Sequence, residues 1–188
     1  MFRVGKRNLR ILDFDTECRP MHYNEWRPES QITAIAWSWI GDEKIEVSHL
    51  HQDLSNEDLM LARFLDAFDL ADMVTGHYIR KHDLPLLNDH ALRLFGRPIG
   101  SKLTQDTMSD LKEIRSLGKS QDNLAVALGI THEKHHMTGA DWRLANSLTA
   151  VGVHETIMRV MKDVRQHKAI REELLRRNAL HSPKVWHP

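Results

Sequence analysis

Ile11-Leu12-Asp13-Phe14-Asp15-Thr16-Glu17 is an apolar segment with a carboxylate at every second position from Asp13 onward. With the residues before it, Asn8 to Phe14 predicts a first β-strand. Side chains alternate across a strand, so Asp13, Asp15 and Glu17 share one face, with Asp15 and Glu17 roughly 7 Å apart along it. Carboxylates are poor strand formers and repel one another at that range. Two readings follow. Either the strand ends at Phe14 and the acids lie in a loop, or a positive charge offsets them. A hard divalent cation such as Mg2+ or Mn2+, which prefers oxygen ligands, is the economical source of that charge.

Outward from this segment, Ile32–Trp39 alternates sides and joins Lys44–His49 through Gly41-Asp42, which predicts a hairpin. Ser55 followed by Asp58 resembles a capping box opening a helix to about Leu70, with Leu61, Phe64, Leu65 and Phe68 on one stripe. Met73–Gly76 reads as a short buried strand and Leu84–Phe95 as a helix stopped by Gly96. Shorter helices are expected over Thr107–Leu117 and Gln121–Leu128, then a long one from about Thr149 to Leu180. Ile157, Val160, Met161, Val164, Leu174 and Leu175 form its apolar side. Strands first and helices after predict a mixed α/β layer fold.

The chain has 188 residues, 41% hydrophobic and 28% charged, enough for a sizeable core and unlike a disordered or fibrous composition. Without internal repeats or a long linker, residues 1–180 are expected to form a single domain. Residues 181–188 are expected to be a flexible tail, or one docked through Trp186. No apolar run approaches the roughly 20 residues of a membrane span. MFRVGKRNLR lacks a secretory signal, and the single Cys18 excludes an internal disulfide, so a reducing, cytoplasmic setting is expected. Net charge is zero, which removes any global attraction to nucleic acid. From Arg159 onward, however, eight basic residues face three acidic ones. A basic end behind an acidic body suits metal and phosphate chemistry, and equally a solvated helix.

Two further segments bear on function. In Gly76-His77-Tyr78-Ile79-Arg80-Lys81-His82-Asp83-Leu84-Pro85, Asp83 stands just before a helix and fits an N-cap. Lys162-Asp163-Val164 places an aspartate inside the last helix. In this order, the strand-borne Asp15-Thr16-Glu17, the Gly76-His77 to Asp83-Leu84-Pro85 stretch and the late Asp163-Val164 resemble the motifs of the DEDD superfamily of 3′–5′ exonucleases. This DnaQ-like group has a ribonuclease H-like fold and includes polymerase proofreading domains. Gln105-Asp106-Thr107-Met108, and Gln121-Asp122-Asn123-Leu124 through Lys134-His135, are similar to its connecting segments, so the resemblance covers most of residues 8–175.

The resemblance implies an α/β fold with a mixed central β-sheet flanked by helices, and metal-dependent hydrolysis of terminal phosphodiester bonds of DNA. Asp15, Glu17 and Asp163 would hold two Mg2+ or Mn2+ ions, with Asp83 as a further catalytic carboxylate acting through water. In such two-metal sites one ion activates water and the other stabilises the leaving oxygen, the ions about 3.5–4 Å apart. The implied partner is nucleic acid, in particular single-stranded DNA 3′ ends, with a polymerase or other replication or repair partner in trans. Thr16 and Tyr78 border the acids by motif position and are candidate substrate contacts. Alternatives on the same fold are an RNA-trimming exoribonuclease and a catalytically weakened nucleic-acid-binding module.

One departure stands out. Family members carry Tyr four residues, or His five residues, before the last Asp, where this chain has Arg159 and Met158. An arginine is no base at neutral pH, so Arg159 is expected to bind the scissile phosphate or leaving-group charge. His154 lies nine residues before Asp163, on the opposite helix face, whereas Arg159 and His167 share its face. His132, His135 and His136 lack a fourth zinc ligand and fit a loop near a nucleic-acid backbone instead. Trp37 and Trp39 suit core packing or base stacking, and Trp142 is expected in a loop.

Overall fold

The alternation carries through the acids: β1 runs Ile11–Arg19, so the carboxylates sit on a strand and not in a loop after it. The structure, a computed structural model, describes residues 9–20, 30–113, 117–130 and 137–188. The remaining elements, in chain order, are β2 (Gln31–Trp39), β3 (Glu46–His49), α1 (Glu57–Leu70), β4 (Met73–Gly76) and α2 (Asp83–Phe95). Then come β5 (Lys102–Asp106), α3 (Gln121–Leu128), α4 (Gly139–Asn146), α5 (Ala150–Arg176) and β6 (Lys184–Trp186). The six strands form one sheet in the order β3-β2-β1-β4-β5-β6. β3, β2 and β1 pair antiparallel, β1, β4 and β5 parallel, and β6 closes the row antiparallel. This is the α/β, ribonuclease H-like architecture: a mixed sheet with helices on both faces.

The two faces of β1 and β2 set the layers. Leu12 and Phe14 of β1, with Ile32, Ile35 and Trp37 of β2, turn to the side of α1 and α2. There Phe64 packs against Phe14 and Trp37, with ring centroids 5.1 Å and 5.7 Å away. Burial of one such aromatic side chain contributes roughly 1.5–3 kcal/mol. Trp37 is therefore core, and Trp39 lies partly buried at its margin. On the other face, Ala34 and Ala36 of β2 leave room for Val160 and Val164 of α5. The register shifts between Glu17 and Cys18, where β2 carries Thr33 as an extra residue. The shift lets even-numbered Ile32 share the layer of odd-numbered Ile35 and Trp37.

Several expectations are corrected. Residues 107–117 form no helix among those described. Asp106 accepts from the N–H groups of Met108 and Ser109 to make a turn, and Leu111 bridges Leu180. β5 and α4 were not expected, because both are short and four of the five residues of β5 are polar; Trp142 thus sits on a helix, not in a loop. Ser55 does not cap α1; its N–H and hydroxyl bond Asp53, and Asn56 takes the N-cap position. α5 ends at Arg176, with Leu175 exposed and Ile170 buried in its place. Residues 184–186 pair with β5, and Trp186 packs against the main core. Among the described residues no helix is long and apolar enough to cross a membrane.

Candidate metal centre

The site is built where α5 lies antiparallel across the acidic face of β1. Every second strand residue advances roughly 7 Å and every fourth helix residue about 6 Å, so the two rows keep step over three positions. Arg159 meets Glu17, Asp163 meets Asp15 and Glu17, and His167 meets Asp13. Asp15, Glu17 and Asp163 each present a carboxylate oxygen, all within 4.8 Å of one another. Three hard oxygen donors at that spacing, from two rigid elements, fit a divalent cation of the Mg2+ or Mn2+ kind.

Asp83 approaches from α2. The N-cap of that helix is His82, and Asp83 Oδ1 accepts from the Thr16 N–H at 3.2 Å and the Thr16 hydroxyl at 2.5 Å. Thr16 therefore ties the carboxylate of α2 to β1 between Asp15 and Glu17. Gly76 makes that approach possible. A Cβ there would lie 2.7 Å from the Phe14 carbonyl oxygen and 2.3 Å from Ile79 Cγ2. Tyr78 follows in the left-handed region at φ 68°, its N–H donating to Asp106 Oδ1. Its ring is partly exposed, and the described contacts do not join it to the acids.

The electrostatics follow from crowding. Burial pushes the Asp15 carboxyl well above its ordinary value, and the charges of Asp83, Asp163 and Glu17 push the same way. Burial likewise raises Glu17 to about 7, against the pull of Arg159. Asp83 is raised by burial despite its bond to Thr16. Arg159 is the internal counterion: Nε donates to Glu17 Oε1 at 2.7 Å, and Nη2 lies 3.2 Å from Asp163 Oδ2. Its guanidinium carbon stands 5.0 Å from the ring centre of Trp142 on α4. Burial lowers its proton affinity, but the carboxylates beside it outweigh that and raise it.

Beyond the acids runs a buried chain that motif reasoning missed. Asp13 Oδ2 bonds His167 Nδ1 at 2.6 Å, His167 Nε2 bonds the Thr107 hydroxyl at 2.9 Å, and Thr107 meets His77 Nδ1 at 3.0 Å. The signal available was the position of His167 four residues after Asp163. Asp106, noted only as part of a connecting segment, accepts from the N–H groups of Tyr78, Arg80, Met108 and Ser109 and so fixes the Gly76–Asp83 turn. His154 is exposed. His132, His135 and His136 lie outside the described residues.

No protein-family model and no curated protein matches the chain. Among solved structures it is similar to the family B DNA polymerase of the hyperthermophilic archaeon Pyrobaculum calidifontis, with a TM-score of 0.60 and 20% identity. The match covers 90% of this chain and 25% of the polymerase chain. The chain thus spans a quarter of the polymerase it matches, and at that identity what the two share is the fold.

Proposed function

We propose that this chain is a metal-dependent 3′–5′ exonuclease acting on DNA ends. The observation that carries the reading is the convergence of Asp15, Glu17 and Asp163, with Asp83 held beside them through Thr16. Buried carboxylates repel one another, and the one Arg159 guanidinium offsets only part of the charge of four, so a divalent cation would meet the remainder. The likeness to part of a DNA polymerase supports a nucleic-acid substrate, and a polymerase partner in trans is the associated expectation.

In this reading Asp15, Glu17 and Asp163 hold the cation, and Asp83 orients water. A bound divalent cation supplies Lewis-acid activation of the attacking water and stabilisation of the leaving oxygen. The water oxygen bonds to the terminal phosphorus and the P–O3′ bond breaks. The 3′ oxygen takes a proton, leaving a nucleoside 5′-monophosphate and a strand one residue shorter. Arg159 contributes charge to the phosphate, not base catalysis. Thr16 and Tyr78 are the proposed substrate contacts.

A second reading has one specific observation in its favour. Arg159 already neutralises Glu17 and Asp163 where related enzymes carry Tyr, which suits a nucleic-acid-binding module without catalysis. A gel time course with 5′-labelled single-stranded DNA and RNA, in Mg2+, Mn2+ or EDTA, separates the two. A metal-dependent ladder shortening from the 3′ end is expected, absent in Asp15→Ala and Asp163→Ala, whose circular dichroism stays native. Binding without shortening in either metal supports the module, and shortening of RNA alone reassigns the substrate.

A further inference from the structure

We infer that Arg159 is a tethered cation that holds the metal seat while no nucleic-acid end is bound, so that divalent metal and the substrate's terminal phosphate enter together. The inference rests on the reading of the acidic cluster as a metal centre. Nε and Nη2 of one guanidinium bridge Glu17 and Asp163, two of the three proposed ligands, from within the same group of oxygens. A divalent cation seated on those oxygens would stand against a fixed positive charge, so the two cations compete for one place.

The geometry also offers Arg159 a way out. It lies on the same helix face as Asp163, at i−4, so rotation about its own side-chain bonds frees both carboxylates without moving the backbone. Its side chain is 18% exposed, with the Trp142 ring alongside as a face on which a planar guanidinium can turn. What draws it off is an anion with two oxygens at fork spacing, which a phosphodiester presents and water does not. Metal entry then frees Arg159 for the phosphate, and phosphate capture frees the seat for metal. By linkage each must tighten the other to the same degree.

The test is a Mn2+ titration followed by the loss of free-ion electron paramagnetic resonance signal. Wild type, Arg159→Gln, Arg159→Lys and Asp15→Asn are each titrated with and without a single-stranded DNA whose 3′-terminal linkage is a hydrolysis-resistant phosphorothioate. In wild type the DNA is expected to tighten Mn2+ binding about ten-fold, within the usual range of coupling between sites. Arg159→Gln is expected to bind Mn2+ about ten-fold more tightly than wild type without DNA, and to lose the coupling. Arg159→Lys keeps one charge without the fork and is expected to fall between them. It carries the same test if Arg159→Gln fails to fold. Equal Mn2+ affinity in wild type and the folded Arg159 variants, with Asp15→Asn weakened, overturns the tethered cation and leaves the metal centre standing. Absence of Mn2+ binding in every protein, with and without DNA, overturns the metal centre itself and this inference with it.

Discussion

Glu17 is buried between Asp163 and the Arg159 guanidinium, and its carboxyl is raised from 4.5 to about 7. Because the folded value exceeds the unfolded one, the folded state binds the extra proton between those limits. The associated stability is full below pH 4.5 and lost as pH rises through 7. His77 acts in the opposite sense: burial, aided by His167, holds it down to about 4, so its contribution is lost as pH falls from 6.5. Glu17→Gln isolates the first effect. In EDTA its stability relative to wild type is expected to climb between pH 5 and pH 8 by on the order of 3 kcal/mol. Urea denaturation at each pH measures this, and a gap independent of pH refutes it. The alternation that placed Asp15 and Glu17 on one face was visible in seven residues. That Arg159, and not only a metal, answers their charge was not, because it depends on a helix 142 positions away.

At the scale of elements, the centre depends on how closely α4 and α5 approach. Gly152, in the first turn of α5, is the point of contact, and a Cβ there would lie 2.1 Å from the Leu144 carbonyl oxygen and 2.8 Å from its carbon. Gly152→Ala would gain about 1 kcal/mol in helix propensity. Overpacking against a backbone costs about 1–3 kcal/mol or more, and at 2.1 Å the clash wins. Net destabilisation of about 2 kcal/mol is expected in urea melts, and a stabilised variant would refute the contact. Gly152 and α4 escaped sequence reasoning because a short helix beside a glycine offers little periodicity. α3, from Gln121 to Leu128, was legible to the residue because Ser120 caps it and Gly129 stops it in the left-handed region. The expected helix over 107–117 failed for a comparable local reason: the buried Asp106 carboxylate drew the following N–H groups into a turn.

Across the molecule, β6 matters more than its three residues suggest. It covers the far edge of the sheet by pairing Lys102 with Trp186, Leu103 with Val185 and Thr104 with Lys184. Removing residues 184–188 would strip Trp186 from the core and leave β5 as an open edge, which invites pairing with other chains. A loss of about 2 kcal/mol is expected from the lost apolar burial, with concentration-dependent association on size-exclusion chromatography. Unchanged melting and a monomeric profile would show the strand to be dispensable.

The sequence by itself determined the local grammar of this protein. Strand alternation put three carboxylates on one face, the Gly41 turn joined two strands, and glycine stops and proline starts bounded α2. These are decided within a few residues, where backbone sterics and side-chain periodicity dominate. Only the tertiary structure decided that α5 lies antiparallel on β1 with a matching step, so that Arg159, Asp163 and His167 fall opposite Glu17, Asp15 and Asp13. That register is set by Ala34 and Ala36 receiving Val160 and Val164, a packing relation between segments more than 120 residues apart that no local pattern encodes.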